Sequence, residues 1–151
     1  MENPVARKQQ ADKLIFWGIM LFYLGLLSAL FIPVMTNPRM GLSTHLEGIM
    51  NGMFLCVLGL IWNKLNLAER WIYLGFWLAL YGTFANFLAV LISAISGAGK
   101  LMPIASGKEG DPYIEIIVST LLITLTVSML IVCMIVLAGL LKAKRSGYRD
   151  E

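Results

Sequence analysis

The chain has 151 residues, of which 58% are hydrophobic and 14% charged, and its mean hydropathy is +0.77. A soluble domain carries about 25% charged residues, and a chain this short has too little interior to hide so much apolar surface, so a soluble globule is excluded and a bilayer is the expected solvent. The net charge of +3 does not point to nucleic acid, because the basic residues gather at the ends of apolar runs, where they serve membrane topology.

Between the charges lie four long apolar segments, 14–35, 41–62, 71–98 and 116–141. Each is long enough to cross about 30 Å of hydrocarbon as a helix. Their continuity, without alternation, favours helices over a barrel. The expectation is one domain over 1–151, an all-α integral-membrane four-helix bundle. The first apolar stretch is too long for a cleavable signal and lacks a small-residue cleavage site.

In chain order, the N-terminal tail brings Arg7, Lys8 and Lys13, and the first loop, 33–43, holds the turn formers Asn37-Pro38 and Gly41. Lys64 and Arg70 flank the second connection. The 97–115 loop reads as a solvated connector, with a cap over a site as its alternative. Lys142, Lys144, Arg145 and Arg149 close the chain. Only Arg39, Lys100 and Lys108 fall on the opposite side, so the positive-inside rule places both termini in the cytoplasm. Trp17, Trp62, Trp71 and Trp77 lie mostly toward span ends, as interfacial anchors do. Cys56 and Cys133, both inside apolar runs, read as small hydrophobes.

The second span breaks the apolar pattern with His45, Glu47 and Asn51. Ionisable groups at membrane depth face a protein interior or a cavity, and mark a site by default. At about 100° per residue, Gly48 and Gly52 continue the face of His45 as a stripe without side chains. Such a stripe admits a flat group, and it is equally the small-xxx-small pattern of helix packing. His45 is read against the plainer role of an interfacial residue. Glu47 and Asn51, four apart, share another face, and Glu47 has Arg39 as a further partner across the turn. The third span adds Tyr81 and Asn86, the latter needing a hydrogen-bond partner as helix glue or as a substrate contact.

Other signals fail. Gly97-Ala-Gly-Lys100 lacks the first glycine, the hydroxyl residue and the strand of a phosphate loop. One histidine and two separated cysteines do not make a usual zinc site, and no Gly-x-Ser-x-Gly elbow occurs. Bis-histidine haem ligation needs two histidines and the chain has one. A haem here would be five-coordinate or take a different second ligand, an arrangement suited to binding a substrate at iron.

His45, five intervening residues and Asn51-Gly52-Met53, near the start of the second of four spans, resemble the small integral-membrane isomerases that include styrene oxide isomerase. The string Asn37-Pro-Arg-Met-Gly-Leu-Ser-Thr-His-Leu-Glu-Gly48, with the short chain, is more similar to the bacterial (hydroxyamino)benzene mutases. The similarity spans about 14–141. It implies a haem b protein, trimeric in the epoxide isomerases, with His45 as axial ligand to the haem iron and Asn51 holding the substrate; Gly48 and Gly52, on the face of His45, are then the positions expected beside the cofactor. Phe84-Ala85-Asn86 matches the family pattern in the third span. Four residues on, the epoxide isomerases have a tyrosine that positions the epoxide. Val90 stands there, which counts against epoxide isomerisation; Tyr81 is the substitute phenol considered.

The function implied is a mutase converting hydroxylaminobenzene to 2-aminophenol by intramolecular hydroxyl transfer, with ferric iron as Lewis acid on the departing oxygen. Also implied are a lipophilic aromatic substrate, contact with membrane lipid, a homo-oligomer, no nucleic acid, the bacterial inner membrane and a place in nitroaromatic breakdown. The alternatives are an aryl-epoxide isomerase on the same scaffold and a non-enzymatic tetraspan subunit packing through Gly48 and Gly52.

Overall fold

The computed structural model describes residues 4–147. Arg149, counted above among the C-terminal charges, lies outside the described residues. Four helices follow in order, α1 (Pro4–Ala29), α2 (Pro38–Ile61), α3 (Glu69–Ser96) and α4 (Pro112–Gly147), joined by short 3-10 turns, and no strand occurs among the described residues. All four are long and apolar enough to cross a membrane.

The helix ends follow local chemistry. α1 stops at Ala29, short of the apolar run, because Pro33 cannot continue a helix and the chain tightens into the 3-10 turn Ile32–Val34. Asn37 caps α2 by accepting from the Met40 N–H, with Pro38 at the first turn. The same side chain donates to the Ala105 carbonyl at 3.2 Å, and the Asn37 N–H to the Ala94 carbonyl at 2.9 Å. One residue thereby ties the first loop to the third loop and to the end of α3. Gly97, at φ +81°, closes α3 in the left-handed conformation that glycine adopts freely.

α1 and α2 form the tightest pair. A Cβ placed on Gly48 would lie 2.4 Å from Gly25 Cα, and one on Gly52 would lie 2.7 Å from the Gly18 carbonyl oxygen. Gly59 meets Ala11 in the same way, so the contacts run in opposite chain directions and the helices are antiparallel. Without side chains at these positions the backbones approach closely enough for extensive dispersion contact, which drives helix association in lipid. α3 is the most enclosed helix and α4, packed on α3, the least, with 50% and 17% of their apolar stretches buried.

Two residues read as end markers are buried. Trp62 is fully enclosed and its Nε1 donates to Gln10 Oε1 at 3.2 Å, so it is a core residue and not an interfacial anchor. Arg7 donates to the carbonyls of Leu65 (3.0 Å) and Leu67 (3.1 Å) and pairs with Glu69 at 3.5 Å. Its fork closes the α2–α3 connection onto α1. At the opposite end Glu115 accepts from the N–H groups of Gly99 (2.8 Å), Lys100 (3.1 Å) and Gly110 (2.9 Å), holding the 97–115 loop against the start of α4.

Candidate functional site in the second span

α2 carries its polar residues on two sides. His45 turns toward α1, where its Nδ1 lies 2.8 Å from the Gly25 carbonyl oxygen. A carbonyl only accepts, so Nδ1 carries the proton and the lone pair of the neutral ring is on Nε2. This is the arrangement in which a histidine serves as a ligand, one nitrogen fixed by a backbone carbonyl and the other free to bind.

Glu47 turns the other way, toward α3. Its Oε2 accepts from Asn51 Nδ2 at 3.1 Å, the partner expected one turn on, and from Asn86 Nδ2 at 2.6 Å. All three residues are half-buried. Asn86 therefore has the partner its position demands, and Glu47 does not pair with Arg39, which instead donates to the Ser106 hydroxyl in the third loop.

The structure thus brings Glu47, Asn51 and Asn86 together and leaves His45 apart from them. His45 and Asn51 are about 120° apart around α2, and His45 and Glu47 about 160°. Between the two sides runs an exposed apolar strip that includes Leu46, Met50 and Met53. Gly48 and Gly52 lie on the side of His45 and are filled over by α1, so the bare stripe is occupied by a helix.

Tyr81 is placed elsewhere. Its hydroxyl is 2.6 Å from Thr124 Oγ1 on α4, and its ring lines a groove of about 800 Å³ between α1 and α3. Trp17 and Phe84 meet edge to face in the same groove, their centroids 5.8 Å apart. Val90 is buried in a cluster with Met40, Ala94 and Ala105. Among the described residues no three of His, Cys, Asp and Glu come together as a metal-binding group.

Gly25, whose carbonyl orients His45, does not stand out in the sequence. No local signal marks it, since a backbone acceptor has no residue type; its pairing with Gly48 across two helices is the only trace.

The styrene oxide isomerase family matches residues 10–141. The hydroxylaminobenzene mutase HabB of Ectopseudomonas oleovorans is 46% identical over 152 residues, covering 99% of this chain and 93% of the relative. The hydroxylaminobenzene mutase HabA of the same organism is 45% identical over 127 residues, covering 83% of this chain and 94% of the relative. No solved structure matches.

Proposed function

The chain belongs to the styrene oxide isomerase family, and from that membership we propose that it is an integral-membrane isomerase converting hydroxylaminobenzene to 2-aminophenol. The observation that carries this reading is the 46% identity to a hydroxylaminobenzene mutase over 99% of the chain. The buried valine at position 90 agrees with it, since epoxide isomerisation in the resemblance above relies on a phenol there.

In the reaction the hydroxyl leaves nitrogen and bonds to the ortho carbon, that carbon loses a proton, and nitrogen gains one; nothing is oxidised overall. Haem b fits the one histidine, because the Gly25 carbonyl fixes the Nδ1 proton and leaves Nε2 as a neutral donor, the form that ligates iron. When bound, the haem iron supplies a Lewis acid for the departing oxygen. Asn51 hydrogen-bonds that oxygen. The apolar side chains around the span exclude water, which would otherwise capture the ring cation at the para carbon.

His45 and Glu47, whose carboxylate holds Asn51, flank the same exposed apolar strip of α2, so a second copy seated on that strip would complete the site. A homo-oligomer, a trimer as in the epoxide isomerases, is the assembly we propose. The antiparallel helix pairs and the Lys and Arg bias support both termini in the cytoplasm of a bacterial inner membrane.

Membranes containing the protein, supplied with hydroxylaminobenzene, are expected to accumulate 2-aminophenol. Formation of phenylacetaldehyde from styrene oxide with no 2-aminophenol from hydroxylaminobenzene would replace the mutase reading with epoxide isomerisation. Neither product would leave the non-enzymatic tetraspan.

A further inference from the structure

Glu47 joins two amides that come from different helices, Asn51 on α2 and Asn86 on α3, through the single oxygen Oε2. Helix packing does not require this. A carboxylate is costly at membrane depth, and the same two helices already have apolar contact at the next residue of α2, where Gly48 lies against the Phe87 ring. An asparagine can turn either its oxygen or its NH2 toward a neighbour, and the two ends are nearly equal in shape. An oxygen that accepts from both amides removes the choice. Both NH2 groups face Glu47, both Oδ1 atoms face away from it, and each amide keeps one N–H that the carboxylate does not use.

Resting on the mutase reading, we propose that Glu47 is the positioning residue of the site, fixing Asn51 and Asn86 so that each presents an acceptor and a donor to an arylhydroxylamine. The substrate has the complementary pair: an N–H and an O–H that donate, and an oxygen that accepts. An epoxide has only the acceptor, so the arrangement Glu47 imposes fits a substrate that carries donors. Glu47 acts through the asparagines, and its contribution therefore passes through them.

The test compares Glu47→Leu, which removes the acceptor, with Glu47→Gln, whose side-chain carbonyl still accepts from both amides. Each is made in the native background and with Asn51→Ala and Asn86→Ala together, and assayed for 2-aminophenol in membranes. Glu47→Leu is expected to lower kcat about 10- to 100-fold, the usual effect of losing a residue that supports a site residue, with KM within about threefold. Glu47→Gln is expected to recover most of that loss. In the Asn51→Ala/Asn86→Ala background Glu47→Leu is expected to cost less than about threefold, because residues acting as a unit are not additive.

If Glu47→Gln is as damaging as Glu47→Leu, or if the full loss persists without both asparagines, the positioning role is overturned while the mutase reading stands. If Glu47→Leu does not accumulate, Glu47→Gln decides alone: a loss beyond about tenfold overturns the proposal. Absence of 2-aminophenol with the native protein would instead overturn the reading, and the inference with it.

Discussion

His45 is oriented by a main-chain oxygen, which no side-chain substitution on α1 removes directly. Its own replacement is therefore the clean experiment. His45→Ala is expected to abolish the Soret band of the purified protein and its turnover while the chain still inserts in the membrane. Absorbance and product assays on the same preparation check this, and full activity in the variant would defeat the assignment. Arg7 shows the opposite case, a side chain satisfying main-chain acceptors. Its guanidinium spans the Leu65 and Leu67 carbonyls; the Leu65 carbonyl also accepts from the Leu67 N–H, so Arg7→Ala strips the Leu67 carbonyl of its partner, at about 1–3 kcal/mol, and removes one of two donors from Leu65. A lowered Tm in detergent is expected, and Arg7→Lys is expected to recover little of it, since one ammonium does not reproduce the fork. Arg7 was legible as a charge near a span, but not as a buried one, because nothing beside it in the sequence names the carbonyls it meets.

At the scale of elements, the α1–α2 pair depends on absent side chains. Gly48→Leu would drive a side chain into the Gly25 backbone, and since backbone does not yield as a flexible side chain does, the helices must separate. The expected loss is about 1–3 kcal/mol or more, read as a lower Tm. Because Gly25 also holds His45, haem retention is expected to fall in the same variant, so Tm and Soret absorbance should drop together. The positions of the helices were legible from the four apolar runs, with errors confined to their ends. α1 begins at Pro4, well before its apolar run, because the Arg7 to Lys13 segment is helical and partly packed, and it stops at Ala29 because of Pro33. The small-xxx-small pattern gave two readings for Gly48 and Gly52, and the sequence held both open; α1 fills the stripe.

For the whole molecule, the arrangement is a set of antiparallel neighbours with one exposed, strongly apolar member, α4, whose 18-residue apolar stretch has a mean hydropathy of 2.8. A reporter that is active only in the cytoplasm, fused to either end, is expected to be active, and one active only outside the cytoplasm is expected to be silent. The reverse pattern at both ends would invert the topology. The groove between α1 and α3, lined by Trp17, Trp77, Tyr81 and Phe84 among others, lies on another side of α3 from Asn86, so Tyr81 serves the groove and its Thr124 contact and does not join the amide cluster.

The sequence by itself determined that this chain forms four helices long and apolar enough to cross a membrane, and that polar residues cluster in the second of them. Hydropathy, charge bias and a cluster of polar residues are local properties, readable without knowing what stands opposite. Tertiary structure decided the partners: the Gly25 carbonyl for His45, 20 residues away, Asn86 for Glu47, 39 residues away, and α1 for the glycine stripe. Those pairings depend on the rotation and register of one helix against another, and many rotations of an apolar helix in lipid bury similar area. Glycine contacts and a few polar bonds select among them.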